Sequence, residues 1–211
     1  GGETLTGFTN DTVKGIVKYN VTGSYTGLAV GNNYFGLTFN GSGNWTLNAA
    51  LDTNGAFTIA QGTVDAAGNN LNVAGNWLNS GTFTSGLNTV TFDGGSIQTI
   101  NAGGTANDAK DFNNLTVSGS TLQLIGTALE VDGTLTINAS KVFDLNGQSL
   151  TMGTLANNGT FQLTGGEAIT VTTWDTDSGL VKYTATSGSR DIKDFGGTDY
   201  YNLEIAGNGG T

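Results

Sequence analysis

The sequence predicts an all-β fold: a single-stranded parallel β-helix (β-solenoid) with about 20 residues and three short strands per turn, and roughly ten turns in all. Three observations carry this expectation. The chain matches itself when slid by about 78 residues, a finer apolar period of about 20 lies inside that repeat, and Gly- and Asn-rich corners with no Pro separate the apolar runs.

The long repeat superimposes Leu37-Thr38 on Leu115-Thr116, Gly41-Ser42 on Gly119-Ser120, and Thr58-Ile59 on Thr136-Ile137. It also carries Asn79 onto Asn157 and Gly81-Thr82-Phe83 onto Gly159-Thr160-Phe161. Asp65, Gly68 and Leu71 match Asp144, Gly147 and Leu150 after a one-residue insertion. Flanking pieces join the series. Tyr200-Tyr201-Asn202-Leu203 resembles Phe112-Asn113-Asn114-Leu115 and Tyr34-Phe35-Gly36-Leu37, while Ile16-Val17-Lys18-Tyr19 resembles Leu180-Val181-Lys182-Tyr183. The expected organisation is one continuous array over 1–211: the tail of a preceding copy (1–33), a first full copy (34–111), a second with an insertion (112–199) and the start of a third (200–211). The chain thus enters and leaves its repeat midway, which is expected of a processed form or a slice of something longer.

Inside each copy, three apolar series share the shorter period. Leu37, Phe57 and Trp77 form one, Trp45, Val64 and Phe83 another, and Leu51, Leu71 and Val90 the third. The second copy offers Leu115, Leu135 and Leu155, then Leu124, Phe143 and Phe161, then Leu129, Leu150 and Ile169. Each strand is therefore expected to stack on its equivalent one turn later. Within a strand, apolar and polar residues alternate, as in Phe57-Thr58-Ile59 and Leu71-Asn72-Val73, so one side chain points inward and the next outward. Thr suits the outer positions because its branched Cβ fits a pleated backbone while its hydroxyl meets water. Asn40-Gly41, Asn54-Gly55, Asn146-Gly147 and Asn158-Gly159 supply corners, where positive φ is tolerated. Such pairs also build β-hairpins, but the three-way period favours corners of a coil. Ten rises of about 4.8 Å predict a rod of about 45–50 Å with a narrow apolar column inside.

Composition removes other classes. The chain has 35 Gly and no Pro, Cys or His, so collagen, disulfide frameworks, thiolate or imidazole metal sites and His-based triads are excluded. A net charge of −10 disfavours nucleic acid and anionic membrane surfaces, and no apolar run is long enough for insertion as a membrane-spanning helix.

Residues 75–94, GNWLNSGTFTSGLNTVTFDG, and residues 112–126, FNNLTVSGSTLQLIG, resemble the Gly/Asn/Thr-rich repeats of large bacterial secreted and surface proteins, in the style of filamentous-haemagglutinin and autotransporter passengers. The resemblance implies a right-handed parallel β-helix at the cell surface. It implies no ligand and transfers no catalytic residue.

Few residues qualify as sites. Asp175 and Asp177, in Asp-Thr-Asp-Ser-Gly, alternate oxygen donors before a Gly and are candidate calcium ligands; Asp108 and Asp111 occupy another loop between copies. Beyond calcium, no cofactor is expected. Arg190, Asp191 and Asp194 form the densest polar segment, the one place where carboxylate chemistry on a polysaccharide could be imagined; it reads as a solvated loop, since such chemistry needs two acids at fixed separation on rigid strands. Trp45 and Trp77 fall in the inward series, and Tyr25, Tyr34, Tyr200 and Tyr201 are the better candidates for exposed aromatic contacts, including surface glycans. Seven Asn-x-Ser/Thr sequons, at Asn10, Asn20, Asn40, Asn44, Asn114, Asn138 and Asn158, are about what chance supplies.

The function expected is structural and non-enzymatic: an extracellular subunit whose coils stack head to tail as a homopolymer, giving a filament, sheath or surface layer. Leu5, Phe8, Tyr200, Tyr201, Leu203 and Ile205 are the candidate contact residues at the two ends. The alternative is the stalk or binding segment of a long surface adhesin. A polysaccharide-degrading enzyme is the remote third.

Overall fold

The computed structural model describes residues 10–104, 108, 110–188, 190–197 and 199–207. These residues form a β-solenoid of about nine turns with no helix among them. Every strand pair is parallel, in three sheets of ten, eight and four strands. Nine rises of about 4.8 Å correspond to a rod of roughly 43 Å.

The first sheet runs without a break from Ile16–Tyr19 to Leu203–Ile205. The predicted columns are present. Leu37 pairs with Phe57 and Phe57 with Trp77 in the first sheet; Trp45 pairs with Val64 and Val64 with Phe83 in the four-stranded second sheet; Leu51 pairs with Leu71 and Leu71 with Val90 in the third. All nine side chains are buried, so the alternation along each strand is the alternation between core and solvent. Aromatic rings fill the column: Phe57 stacks on Trp77 at 4.4 Å, and Phe83 meets the same indole edge-on at 5.0 Å. In the later turns Leu115, Leu135 and Leu155 pair as expected, whereas Phe143 pairs with Leu122 rather than Leu124.

The second sheet ends after Thr82–Thr84, yet the face it builds continues. Phe112 takes the next place, 5.8 Å from Phe83, and bridges to Val131. Val131 belongs to Leu129–Ile137, a strand that crosses a softened corner: its pairing with Leu150–Asn157 changes register between Val131 and Thr134. The first part of this strand serves the second face, the last part the third.

The long repeat therefore does not return to its own face. Leu37 lies in the first sheet and its repeat partner Leu115 in the third; Phe83 lies in the second and its partner Phe161 in the first. The first copy ends a third of a turn short of four turns, and the longer second copy makes up the difference, since Leu203 lies in the first sheet again. The cause is uneven coil length: Trp77 pairs with Ile100, and Ile100 with Leu124, so the middle coils exceed the 20 residues separating Phe57 from Trp77.

Glycine permits the tight stacking of corners. Gly62 has φ of +75°, and a Cβ there would come within 2.4 Å of the carbonyl oxygens of Gly41 and Gly43 one turn earlier. Buried polar groups seal other corners. Gln98, in the strand Ile97–Asn101, donates through Nε2 to the carbonyls of Val73 and Gly75, at 2.8 and 2.6 Å, and accepts from the Gly94 amide at 2.8 Å.

Candidate functional site

The densest group of ionisable side chains sits where the second face resumes. Phe112 and Val131 point inward and bridge, with the Phe112 amide donating to the Glu130 carbonyl and the Asp132 amide to the Phe112 carbonyl. Side chains one position either side of an inward residue point the other way. Asp111, Glu130 and Asp132 are thereby gathered, with one carboxylate oxygen from each inside a 4.8 Å group. Glu130 is buried, Asp111 half-buried and Asp132 exposed. Burial, then repulsion from Glu130, Asp108 and Asp132, pushes the Asp111 carboxyl up to about 7, against a lowering hydrogen bond from the Asp108 backbone. Among the described residues this all-oxygen set is the group able to hold a hard divalent cation such as calcium. Asp108 and Asp111 were visible as acids in a loop; Glu130 and Asp132 were missed, although they follow Asp111 by about one 20-residue period and flank an inward Val.

Asp175 is held differently. Its carboxylate accepts from the backbone amides of Asn157 at 2.6 Å, Asp177 at 3.1 Å and Ser178 at 3.2 Å, and from the Ser178 hydroxyl at 3.1 Å. Burial opposes ionisation, but these donors outweigh it and hold the carboxyl below its usual range. The side chain ties a turn to the preceding coil, while Asp177 is exposed beside it. Asp191 and Asp194 are exposed on an irregular segment, and Asp194 accepts from the Gly196 amide at 2.8 Å.

The aromatic candidates divide. Trp45 and Trp77 are core residues, as their column required. Tyr34 is not exposed: it is fully buried, donates to the Gly31 carbonyl and shares a 3.1 Å hydrogen bond with the Tyr19 hydroxyl. The inward alternation reaches the last residue of Asn33–Tyr34, which sequence reading had assigned to the surface. Tyr25 and Tyr200 are half-buried, and Tyr201 is exposed. Trp174 packs edge-on against Phe161 at 5.5 Å and face-to-face with Phe195 at 3.6 Å, closing the coil beside the last strand.

That last strand holds the most unusual apolar surface. Leu203 and Ile205 pair with Val181 and Tyr183, and so occupy inward positions. They are 41% and 59% exposed, whereas Leu37 and Phe39, at the matching places after the first tyrosine pair, are wholly buried under Phe57 and Ile59. At the other end Ile16 is 69% exposed. The remaining end candidates, Leu5 and Phe8, lie outside the described residues.

No protein family matches the chain, and no curated protein or solved structure shows significant similarity to it.

Proposed function

We propose that this chain is an extracellular structural protein, a coil that stacks end to end into a filament, sheath or surface layer, akin to the solenoids of large bacterial secreted and surface proteins that its repeats resemble. The observation that carries the reading is the exposure of Leu203 and Ile205 in inward positions that every preceding turn of the first sheet covers with another strand. An open strand edge with apolar side chains is a template for a further parallel strand. The unbroken ten-stranded ladder supplies stiffness along the axis, and the short polar side chains turned outward suit an aqueous exterior. Negative-stain electron microscopy of the purified chain tests the reading: filaments about as wide as one coil are expected, and dispersed short rods at all concentrations would refute it.

A second reading, the stalk of a long adhesin, is favoured by the twinned strands Ile16–Tyr19 and Leu180–Tyr183, each followed by a tyrosine pair. Such repetition suits an array in which the next coil of the same polypeptide covers Leu203 and Ile205. An open reading frame carrying many further copies would select it.

A further inference from the structure

Resting on the reading of the chain as a stacking unit, we infer that the joint is a single parallel strand pair in the first sheet, formed with a second copy of this chain: Leu203, Glu204 and Ile205 lie in register against Val17, Lys18 and Tyr19 of the next copy, with Glu204 opposite Lys18.

The chain contains its own precedent for this pairing. The strand Leu180–Tyr183, sequence LVKY, pairs with Leu203–Ile205 so that Val181 faces Leu203, Lys182 faces Glu204 and Tyr183 faces Ile205. Lys182 Nζ lies 2.9 Å from Glu204 Oε1. The strand Ile16–Tyr19, sequence IVKY, differs from LVKY only in its first residue. Its inward Val17 is half-buried, where the equivalent Val181 is 4% exposed, because Val181 has Phe161 stacked on its upstream side. Among the described residues, Ile16–Tyr19 has a strand on its downstream edge alone, and Leu203–Ile205 has one on its upstream edge alone.

Direction and charge select the arrangement. All ten strands run the same way, so placing the last strand of one copy before the first strand of the next preserves parallel pairing and the rise of about 4.8 Å. Leu203 and Ile205 then stack on Val17 and Tyr19 as Phe161 and Leu163 stack on Val181 and Tyr183. The outward row reads Gln162, Lys182 and Glu204, followed by Lys18 of the next copy, so Glu204 lies between two lysines. Tail-to-tail stacking would reverse one strand and bring two Glu204 side chains together, a like-charge contact that disfavours pairing. A head-to-tail joint of this kind does not close on itself and extends as a fibre.

The test uses the full chain and two variants, Lys18→Glu and Glu204→Lys, with circular dichroism verifying unchanged strand content. Sedimentation and electron microscopy measure the concentration at which half the protein is assembled. Each variant alone places like charges at the joint, and its half-assembly concentration should rise about fivefold. An equimolar mixture restores an opposite-charge pair at every alternating joint and should return to within about twofold of the unsubstituted chain. Glu204→Lys also removes the contact to Lys182, but equally in pure and mixed samples, so recovery on mixing reports the joint between copies. Filaments from either variant at the unsubstituted concentration, or no recovery on mixing, would overturn the inference while leaving the structural reading standing. A complete lack of filaments from the unsubstituted chain would remove both.

Discussion

The hydroxyls of Tyr183 and Tyr200 lie 2.9 Å apart, at the centre of a closed ring of hydrogen bonds. The Lys193 amide donates to Tyr183 at 2.9 Å, Tyr183 donates to Tyr200, and Tyr200 donates back to the Lys193 carbonyl. A related circuit occurs at the other end, spread over two adjacent residues: the Val30 amide donates to the Tyr19 hydroxyl, and Tyr34 donates to the Gly31 carbonyl. Two phenols thus replace the ladder bonds that an irregular segment cannot make, and burial, followed by the tyrosine partner, raises the pKa of both Tyr34 and Tyr200.

Tyr200→Phe should therefore cost about 1–2 kcal/mol, because it strands the Lys193 carbonyl and the Tyr183 proton. Tyr201→Phe, one residue on and exposed, should change stability by less than about 0.5 kcal/mol. Urea unfolding of the two variants checks the contrast, and equal effects would show that the ring contributes nothing.

Corner glycines should differ sharply. Gly62→Ala forces a Cβ against two backbone carbonyls and should cost roughly 3 kcal/mol. Gly68 has a similar φ, +78°, but open space around it, so Gly68→Ala should cost only the about 1–2 kcal/mol of left-handed backbone. Thermal melts of both variants measure the difference.

The acidic cluster makes stability depend on pH. Asp111 holds its proton more tightly in the folded chain than when unfolded, so its contribution falls as pH rises from near the ordinary 3.8 to about 7 and is flat above that. Asp111→Asn should be the more stable protein at pH 8 and should lose that advantage near pH 4. Denaturation midpoints across this range test the sign.

Glu167 works in the opposite direction. It is buried, and its carboxylate accepts from the Thr164 amide and hydroxyl, the Gly165 amide and, one turn away, the Gly147 amide, at 2.7 to 3.2 Å. Burial resists ionisation, yet these bonds win and lower its pKa. Its stabilisation is complete above the ordinary 4.5 and is lost as pH falls through the lowered folded value. Glu167→Gln should cost about 1–3 kcal/mol at pH 7 and flatten the acid limb of the stability profile.

The columns were legible because each strand advertises its inward face by alternation and each coil places the next strand about 20 residues on. What lay outside that rule was hard to read. Leu122 and Leu124 both point inward, so sequence alone could not choose between them as the partner of Phe143. The face change between copies came from middle coils longer than the usual 20 residues, from Trp77 to Ile100 and from Ile100 to Leu124, which the short period alone did not announce. Tyr34 was misassigned because two residues are too few to show a period. The carboxylate group depends on contact between coils, and only one of its members lies in the segment that drew notice.

The displaced register of the long repeat has a consequence for anything displayed on the outside. A repeated motif moves from one side to another at the first step, as from Leu37 to Leu115, and the longer second copy carries it back, as to Leu203. A partner would therefore meet the same features on one side at every second copy, with the intervening set turned by a third of the circumference.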